Sequence, residues 1–434
     1  MMFAAIAGPV LLLAGFFSGI PLGLVLLTVG YFGFALVHPH GFAAATAMAG
    51  QQIVGLSTDF QFSVLPLFIL MGSFVNRAAL SDDLYEVAHC WLGHFRGGLA
   101  LSTIAACAGF AAICGSSLAT AATMARVAVP SMRRYHYADW LSTGTVAAGG
   151  ALGMLVPPSG ALIVYGLLTE QDIAKLFLAA VLPALISVVV YFGVVQTVTV
   201  LKPQAGPRAA KAPWSVRWRA LGKVWGVLAL FMLIMGGITF GIFTATEAGG
   251  IGASGALVLA ILRGKMSWAI FVQSLIEAAT TTSMIFTVIF GALVLTQFVN
   301  VSGLSEAVLD FIRRLNASPI EIVLCIMVFY VLLGIFIEGF ALIFLTVPIF
   351  VPIVSALGFD LIWWGVALVI TVEMSVVHPP LGLNIYVLKS ILPEVPLKEI
   401  FKGVIPFFLS DFIRLGLVIA FPALALFLPR LLLR

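Results

Sequence analysis

An all-α polytopic membrane fold built from two inverted repeats is the fold class this sequence predicts, and three observations carry it. Of the 434 residues, 62% are hydrophobic and 9% charged, with a mean hydropathy of +1.16, far outside the range of soluble domains. Nearly every segment between charged loops reaches the roughly 20 apolar residues that a bilayer crossing requires. Two Pro-Pro pairs, Pro157-Pro158 and Pro379-Pro380, stand 222 residues apart in matching surroundings, each inside such a segment. Proline removes an amide donor, clashes with the preceding turn and pushes the residue before it toward extended geometry, so neither segment is a continuous helix. Carbonyls freed at membrane depth survive only when packed in protein or lining a cavity. Paired interruptions in two halves therefore point to a binding site where the repeats meet.

The elements follow in order. The N-terminal apolar stretch has no cleavage-site pattern and is expected to be retained as a span. The first repeat, residues 1–200, contains two apolar runs, 98–113 and 118–130, each too short to cross alone. Between them lies Cys114-Gly115-Ser116-Ser117, so a re-entrant hairpin is predicted over about 98–130. The first broken helix follows over about 139–168. Residues 201–223 are a connection crowded with Lys202, Arg208, Lys211, Arg217, Arg219 and Lys223, which the positive-inside bias places in the cytoplasm. Trp214, Trp218, Leu221 and Trp225 recur there at helical spacing, as in an amphipathic helix lying at the lipid headgroups. In the second repeat, 224–434, the same count gives a hairpin over about 318–352 with its tip at Gly334 to Gly339, and a broken helix over about 361–390. Pro130 then corresponds to Pro348, Asp139 to Asp360 and Pro183 to Pro406. Counting spans outward from the basic connection inverts the two units, with Lys211 inside and Asn316 outside, and leaves few basic residues outside, such as Arg313 and Arg314.

Several function classes are excluded. The basic residues flank membrane segments, so they report orientation and do not argue for a nucleic-acid partner. Cys90, Cys107, Cys114 and Cys325 lack paired spacing, which disfavours disulfides and zinc. There is no GxxxxGK[ST] run, so the chain carries no P-loop, and the absence of HExxH and GxSxG argues against an enzyme. His38 and His40 sit on a short loop, where a solvated loop is the better reading than a metal site.

The chemistry concentrates at the tips and breaks. Hydroxyl and carbonyl oxygens around Cys114 to Ser117, facing the Gly153 to Pro158 break, can replace the hydration shell of a hard cation, and sodium suits them. Gly334 to Gly339 faces His378-Pro379-Pro380 and Gly382-Leu383-Asn384 in the same way. Half-helix N-termini attract carboxylates while freed carbonyls attract cations, a combination suited to a carboxylate moving with cations. Glu338, Glu373, Glu247 and Arg126 lie in apolar segments, where ionisable groups are functional suspects. Glu247 follows Thr244-Ala245-Thr246 in a helix-cap setting, which favours a structural role.

These residues also carry a family resemblance. Gly115 through Ala122, Ala148-Gly149-Gly150-Ala151-Leu152-Gly153 through Pro158-Ser159, Phe243-Thr244-Ala245-Thr246-Glu247-Ala248, and Glu373-Met374 through Asn384 resemble the large membrane subunit of TRAP transporters, the tripartite ATP-independent periplasmic type. The resemblance implies an ion-transporter-superfamily fold working as an elevator in the bacterial cytoplasmic membrane. It implies uptake of an organic acid delivered by a periplasmic binding protein, driven by sodium, with a separate small membrane subunit of about four helices. Sodium ions are the coupling ions, and no other cofactor is implied. One cation site comprises Cys114, Gly115, Ser116, Ser117, Gly153, Val156 and Pro158, and the other Gly334, Gly339, Val377, His378 and Pro380. Ser116, Ser159, Glu338 and Asn384 are the substrate-contact candidates. Two residues depart from the family pattern, Cys114 where Ser is common and His378 where Thr is common. The imidazole titrates near physiological pH. Either its ring faces the cavity and competes with a cation, or its carbonyl alone coordinates; the facing ring is slightly favoured. A self-sufficient carboxylate carrier without a binding protein is the alternative.

Overall fold

The computed structural model describes residues 2–304, 317–380 and 382–433. Arg313, Arg314, Asn316 and Leu381 lie outside the described residues. Everything regular within them is helical, and seven helices are long and apolar enough to cross a membrane: Phe60–Arg77, Ile173–Leu201, Trp214–Thr239, Ala245–Leu262, Trp268–Ser302, Gly339–Ala356 and Leu397–Ala420.

The helices pack in two groups. Leu22–Val37 lies along Trp268–Ser302, and Val64–Arg77 lies along both Ala245–Leu262 and Trp268–Ser302. In the second group, Asp139–Ala151 is surrounded by Gly98–Cys114, Ser117–Arg134 and Leu397–Ala420, and Leu361–Val377 sits against Gly339–Ala356 and Leu397–Ala420. The centre of this group is the dry core: every residue from Leu141 to Ser159 and from Ile362 to Val377 is buried. A helix that is apolar all round has no solvent face and must be covered by protein or lipid. Close approach makes the covering possible at Gly144, where a Cβ would strike the Gly403 backbone of the neighbouring helix. Outer helices keep large apolar residues exposed, such as Leu228, Met232 and Phe412, as a lipid-facing surface requires.

Helix starts follow the local sequence. Thr244 and Glu247 form a reciprocal capping box, the Glu247 carboxylate accepting from the Thr244 amide at 2.8 Å, which fits the structural role expected for Glu247. Asp360 caps Leu361–Val377 by accepting from the Ile362 amide at 2.8 Å. Asp139 instead begins its helix and pairs with Arg133 at 2.8 Å, while Arg133 also holds Glu394 at 2.5 Å and keeps that carboxylate below its usual range. Between the halves, Trp214–Leu221 is a helical segment with Trp214 and Trp218 exposed, and Trp225, exposed as well, opens the span that follows it. Arg217 is buried beneath it, its guanidinium 5.1 Å and 5.8 Å from the Trp214 and Trp91 ring centroids.

The two helix pairs expected as hairpins run further than expected. Ser117–Arg134 continues past Pro130, and Gly339–Ala356 past both Pro348 and Pro352. Pro348 is buried and Pro352 half-buried, so protein covers those turns, while Pro130 and Arg126, whose carbonyl loses its helical donor, are exposed.

Candidate functional site

Gly98–Cys114 ends at Gly115, whose φ of +63° is the left-handed conformation that glycine adopts without penalty. Ser116 is extended and caps Ser117–Arg134, its hydroxyl accepting from the Ala119 amide at 3.4 Å. The first broken helix runs from Asp139 to Met154 and resumes over Gly160–Thr169. Tip and break meet at the backbone. The Gly160 amide donates to the Gly115 carbonyl at 3.3 Å, a Cβ on Gly115 would lie 2.6 Å from the Pro158 carbonyl oxygen, and one on Gly153 would lie 2.6 Å from that of Ser116. Cys114 to Ser117 and Gly153 to Pro158 are thus brought together, with Val156 buried between them. The Ser116 carbonyl already accepts from the Thr120 amide and hydroxyl, at 3.1 and 2.7 Å. Ser159 is fully buried, its hydroxyl donating to the Met154 carbonyl across the break and accepting from the Leu162 amide at 3.3 Å.

The second break interrupts Leu361–Val377 and Leu383–Ile391. Both Pro-Pro bonds, Pro157-Pro158 and Pro379-Pro380, are cis. Gly334, after Pro319–Leu333, packs so closely on Ser375 that a Cβ there would lie 2.5 Å from the serine Cβ. Glu338 caps Gly339–Ala356, accepting from the Ala341 amide at 3.1 Å, and Gly339 touches both Val372 and Met154. The His378 carbonyl accepts from the Gly382 amide at 2.8 Å and that of Pro380 from the Tyr386 hydroxyl at 2.9 Å, leaving each oxygen one lone pair. The His378 ring packs edge-on against Phe408, centroids 4.3 Å apart, with Nδ1 buried and unpartnered. The ring is half-buried there, and it is not part of the wall of the cavity beside the first tip.

That cavity, of about 210 Å³, is walled on one side by Cys114, Gly115, Ser116, Pro158 and Gly160 and on the other by Ser73, Asn76, Glu277 and Thr281. Glu277 accepts from Ser73 Oγ and from Arg77 Nη2, both at 3.1 Å, and Asn76 accepts from Thr123 at 3.0 Å. Of the four substrate-contact candidates, Ser116 lines it and Glu338 does not, while Ser159 and Asn384 are buried behind the tip. Asn384 is the crosspiece: its amide oxygen accepts from Ser117 Oγ and its nitrogen donates to the Ala147 carbonyl, each at 3.0 Å. One side chain of the second broken helix thereby joins the first tip to the first broken helix.

Sequence reading missed Glu277 and the partner of Glu373. The latter is Arg414, paired at 2.8 Å in full burial. Both omissions sat in plain view as charges inside apolar helices, the signal already applied to Glu338 and Glu373. Arg126, flagged by the same signal, is exposed.

The profile of the DctM component of tripartite ATP-independent periplasmic transporters matches residues 9–424. The chain belongs to this TRAP family. Among relatives, it is 30% identical to the sialic acid TRAP transporter large permease protein SiaM of Vibrio cholerae, over 96% of each chain. It is 32% identical to the C4-dicarboxylate TRAP transporter large permease protein DctM of Pseudomonas aeruginosa, over 86% of this chain and 87% of that one. Among solved structures, the Alcanivorax borkumensis YdaH transporter superposes with a TM-score of 0.67 at 15% identity, over 92% and 96% of the two chains, a likeness of fold. As a TRAP permease component the chain is a transporter and not an enzyme.

Proposed function

We propose that this TRAP component catalyses secondary uptake of an organic acid across the bacterial cytoplasmic membrane. Sodium is the coupling ion, a periplasmic binding protein delivers the substrate, and a separate small membrane subunit completes the carrier. The observation carrying this reading is the cavity between the two helix groups, with tip and break oxygens on one wall and paired polar side chains on the other. In this reading the group holding both tips and both breaks is the moving unit of an elevator, and the group built on Leu22–Val37, Val64–Arg77, Ala245–Leu262 and Trp268–Ser302 is the frame. The two halves are inverted repeats and the two helix pairs re-enter from opposite sides.

Sodium fits the first tip because carbonyl and hydroxyl oxygens are the ligands at hand, brought close by Gly115 and Gly153, at neither of which a Cβ has room. Cys114, Ser116, Ser117, Val156 and Pro158 complete that site through backbone and hydroxyl oxygens. At the second break the Val377, His378 and Pro380 carbonyls, with Gly334 and Gly339, serve the same purpose. Ser116 and Glu338 contact the substrate directly, while Ser159 and Asn384 act from behind. The names of relatives, sialic acid, C4-dicarboxylate and 2,3-diketo-L-gulonate permeases, support an acidic substrate.

Uptake of radiolabelled organic acids into proteoliposomes, with an inward sodium gradient, tests the reading. Transport is expected only when the binding protein and small subunit accompany the chain; full-rate uptake by the chain alone would establish a self-sufficient carrier. Orientation is checked by single-cysteine labelling with an impermeant reagent in intact cells, where position 316 should react and 211 should not.

A further inference from the structure

Glu373, Asp411 and Arg414 form a buried cluster apart from the cavity. Glu373 stands on the long arm of the second broken helix, and Asp411 and Arg414 stand one turn apart on Leu397–Ala420. Side-chain exposure is 0% for both acids and 1% for the arginine. Arg414 Nη1 donates to Glu373 Oε2 at 2.8 Å and to Ser187 Oγ at 2.9 Å, and the guanidinium lies 5.1 Å from the Tyr191 ring centroid. Its Nε is 2.9 Å from Asp411 Oδ1 but off the direction of the N–H, so the two are in charge contact without a hydrogen bond. Both Asp411 oxygens, Glu373 Oε1, Arg414 Nε and Nη2, and the Tyr191 hydroxyl, which lies beside Asp411, are buried without an aligned partner.

The charge count does not close. Arginine stays cationic in proteins, so two ionised carboxylates would leave one net negative charge in a dry interior, at a cost that proteins avoid. Among the described residues no further cation reaches the cluster. Helix Ile173–Leu201 brings Ser187 and Tyr191; on Asp139–Ala151 the one acid, Asp139, is held by Arg133; Arg430, on the last helix, is exposed beside Asp360. His378, beyond Glu373 on the same chain segment, faces Phe408.

We propose that the cluster is a proton-binding site, with the proton on Asp411 and the charged pair confined to Glu373 and Arg414. The assignment follows from the contacts. The charge-assisted bond that is aligned on its donor goes to Glu373, whereas Asp411 has only the off-line Arg414 Nε at 2.9 Å and the neighbouring Tyr191 hydroxyl. A protonated Asp411 supplies a hydroxyl next to the lone Tyr191 oxygen, and the cluster becomes neutral.

Infrared spectra of the purified full chain in lipid nanodiscs test this. The difference between wild type and Asp411→Asn at neutral pH should contain the carbonyl band of a protonated carboxylic acid, and its absence overturns the proposal. Asp411→Asn, which mimics the neutral acid, should keep folded yield by fluorescence-detected size exclusion within about twofold of wild type. Glu373→Gln, which removes the aligned partner and leaves the guanidinium only its off-line contact with Asp411, should lower it more, by about tenfold. Equal losses in the two variants would mean that Asp411 is the charged partner and would overturn the assignment. Because the folded chain would hold one proton more than the unfolded one, detergent-solubilised wild type should lose thermal stability relative to Asp411→Asn as pH rises. Parallel pH profiles for the two would also refute it.

Discussion

The two broken helices hold their breaks by different means. Around Gly153 the first is fixed by backbone contact, with no room for a Cβ against Ser116. The second carries Trp363, Trp364 and Glu373 on its long arm, and is fixed by volume and charge: Trp363 Nε1 donates to the Val418 carbonyl at 2.9 Å, and Glu373 grips Arg414. One architecture has thus been secured twice with different chemistry. Added volume should injure the first half most, and an altered charge the second.

The largest expected effect breaks the second half. Arg414→Met removes the partner of Glu373 and should destabilise the chain by about 3–5 kcal/mol, read as a collapse of folded yield. A variant folding as well as wild type would show that charge does not secure this arm. Next comes the first half, where Gly153→Val forces branched volume onto the Ser116 carbonyl. A cost of about 1–3 kcal/mol is expected, together with a higher sodium requirement for uptake or its loss in protein that still reaches the membrane. Unchanged sodium dependence, in this variant and in Ser117→Leu, would remove the first site from the mechanism. Asn384→Ala tests the link between halves. It takes the acceptor from Ser117 Oγ and one donor from the Ala147 carbonyl, for about 1–3 kcal/mol in detergent melting. The smallest effect belongs to His378→Thr: since the ring rests on Phe408, half-saturating sodium should stay within about twofold of wild type and the pH profile should be the same. A steeper sodium dependence in that variant would put the imidazole back among the ion's competitors.

Much of this was legible locally. The Pro-Pro pairs located both breaks to within a residue or two, and Gly115 and Gly334 marked where apolar runs too short to span must turn. The hairpin ends were less legible: the helices run on to Arg134 and Ala356, four residues past the expected bounds. Pairing each tip with its own break was a local inference as well. The Ser117–Asn384 bond and the Gly339–Met154 contact join opposite halves, and no pattern along the chain encodes which side chain crosses between them. Arg414 was overlooked for a related reason. A long apolar helix reads as a span, and the meaning of one cation within it emerges only when three helices converge.

Asn384 has a mechanical consequence. Its amide has one oxygen and one nitrogen, and both are committed, to the first tip and to the first broken helix, while its backbone begins the short arm of the second. A displacement of the first tip that breaks the Ser117 bond leaves this side chain held by the Ala147 carbonyl alone, and a shift of the arm pulls on the tip. If both breaks bind ions as proposed, and this amide couples them, occupancy of one would change affinity at the other by an equal factor in both directions.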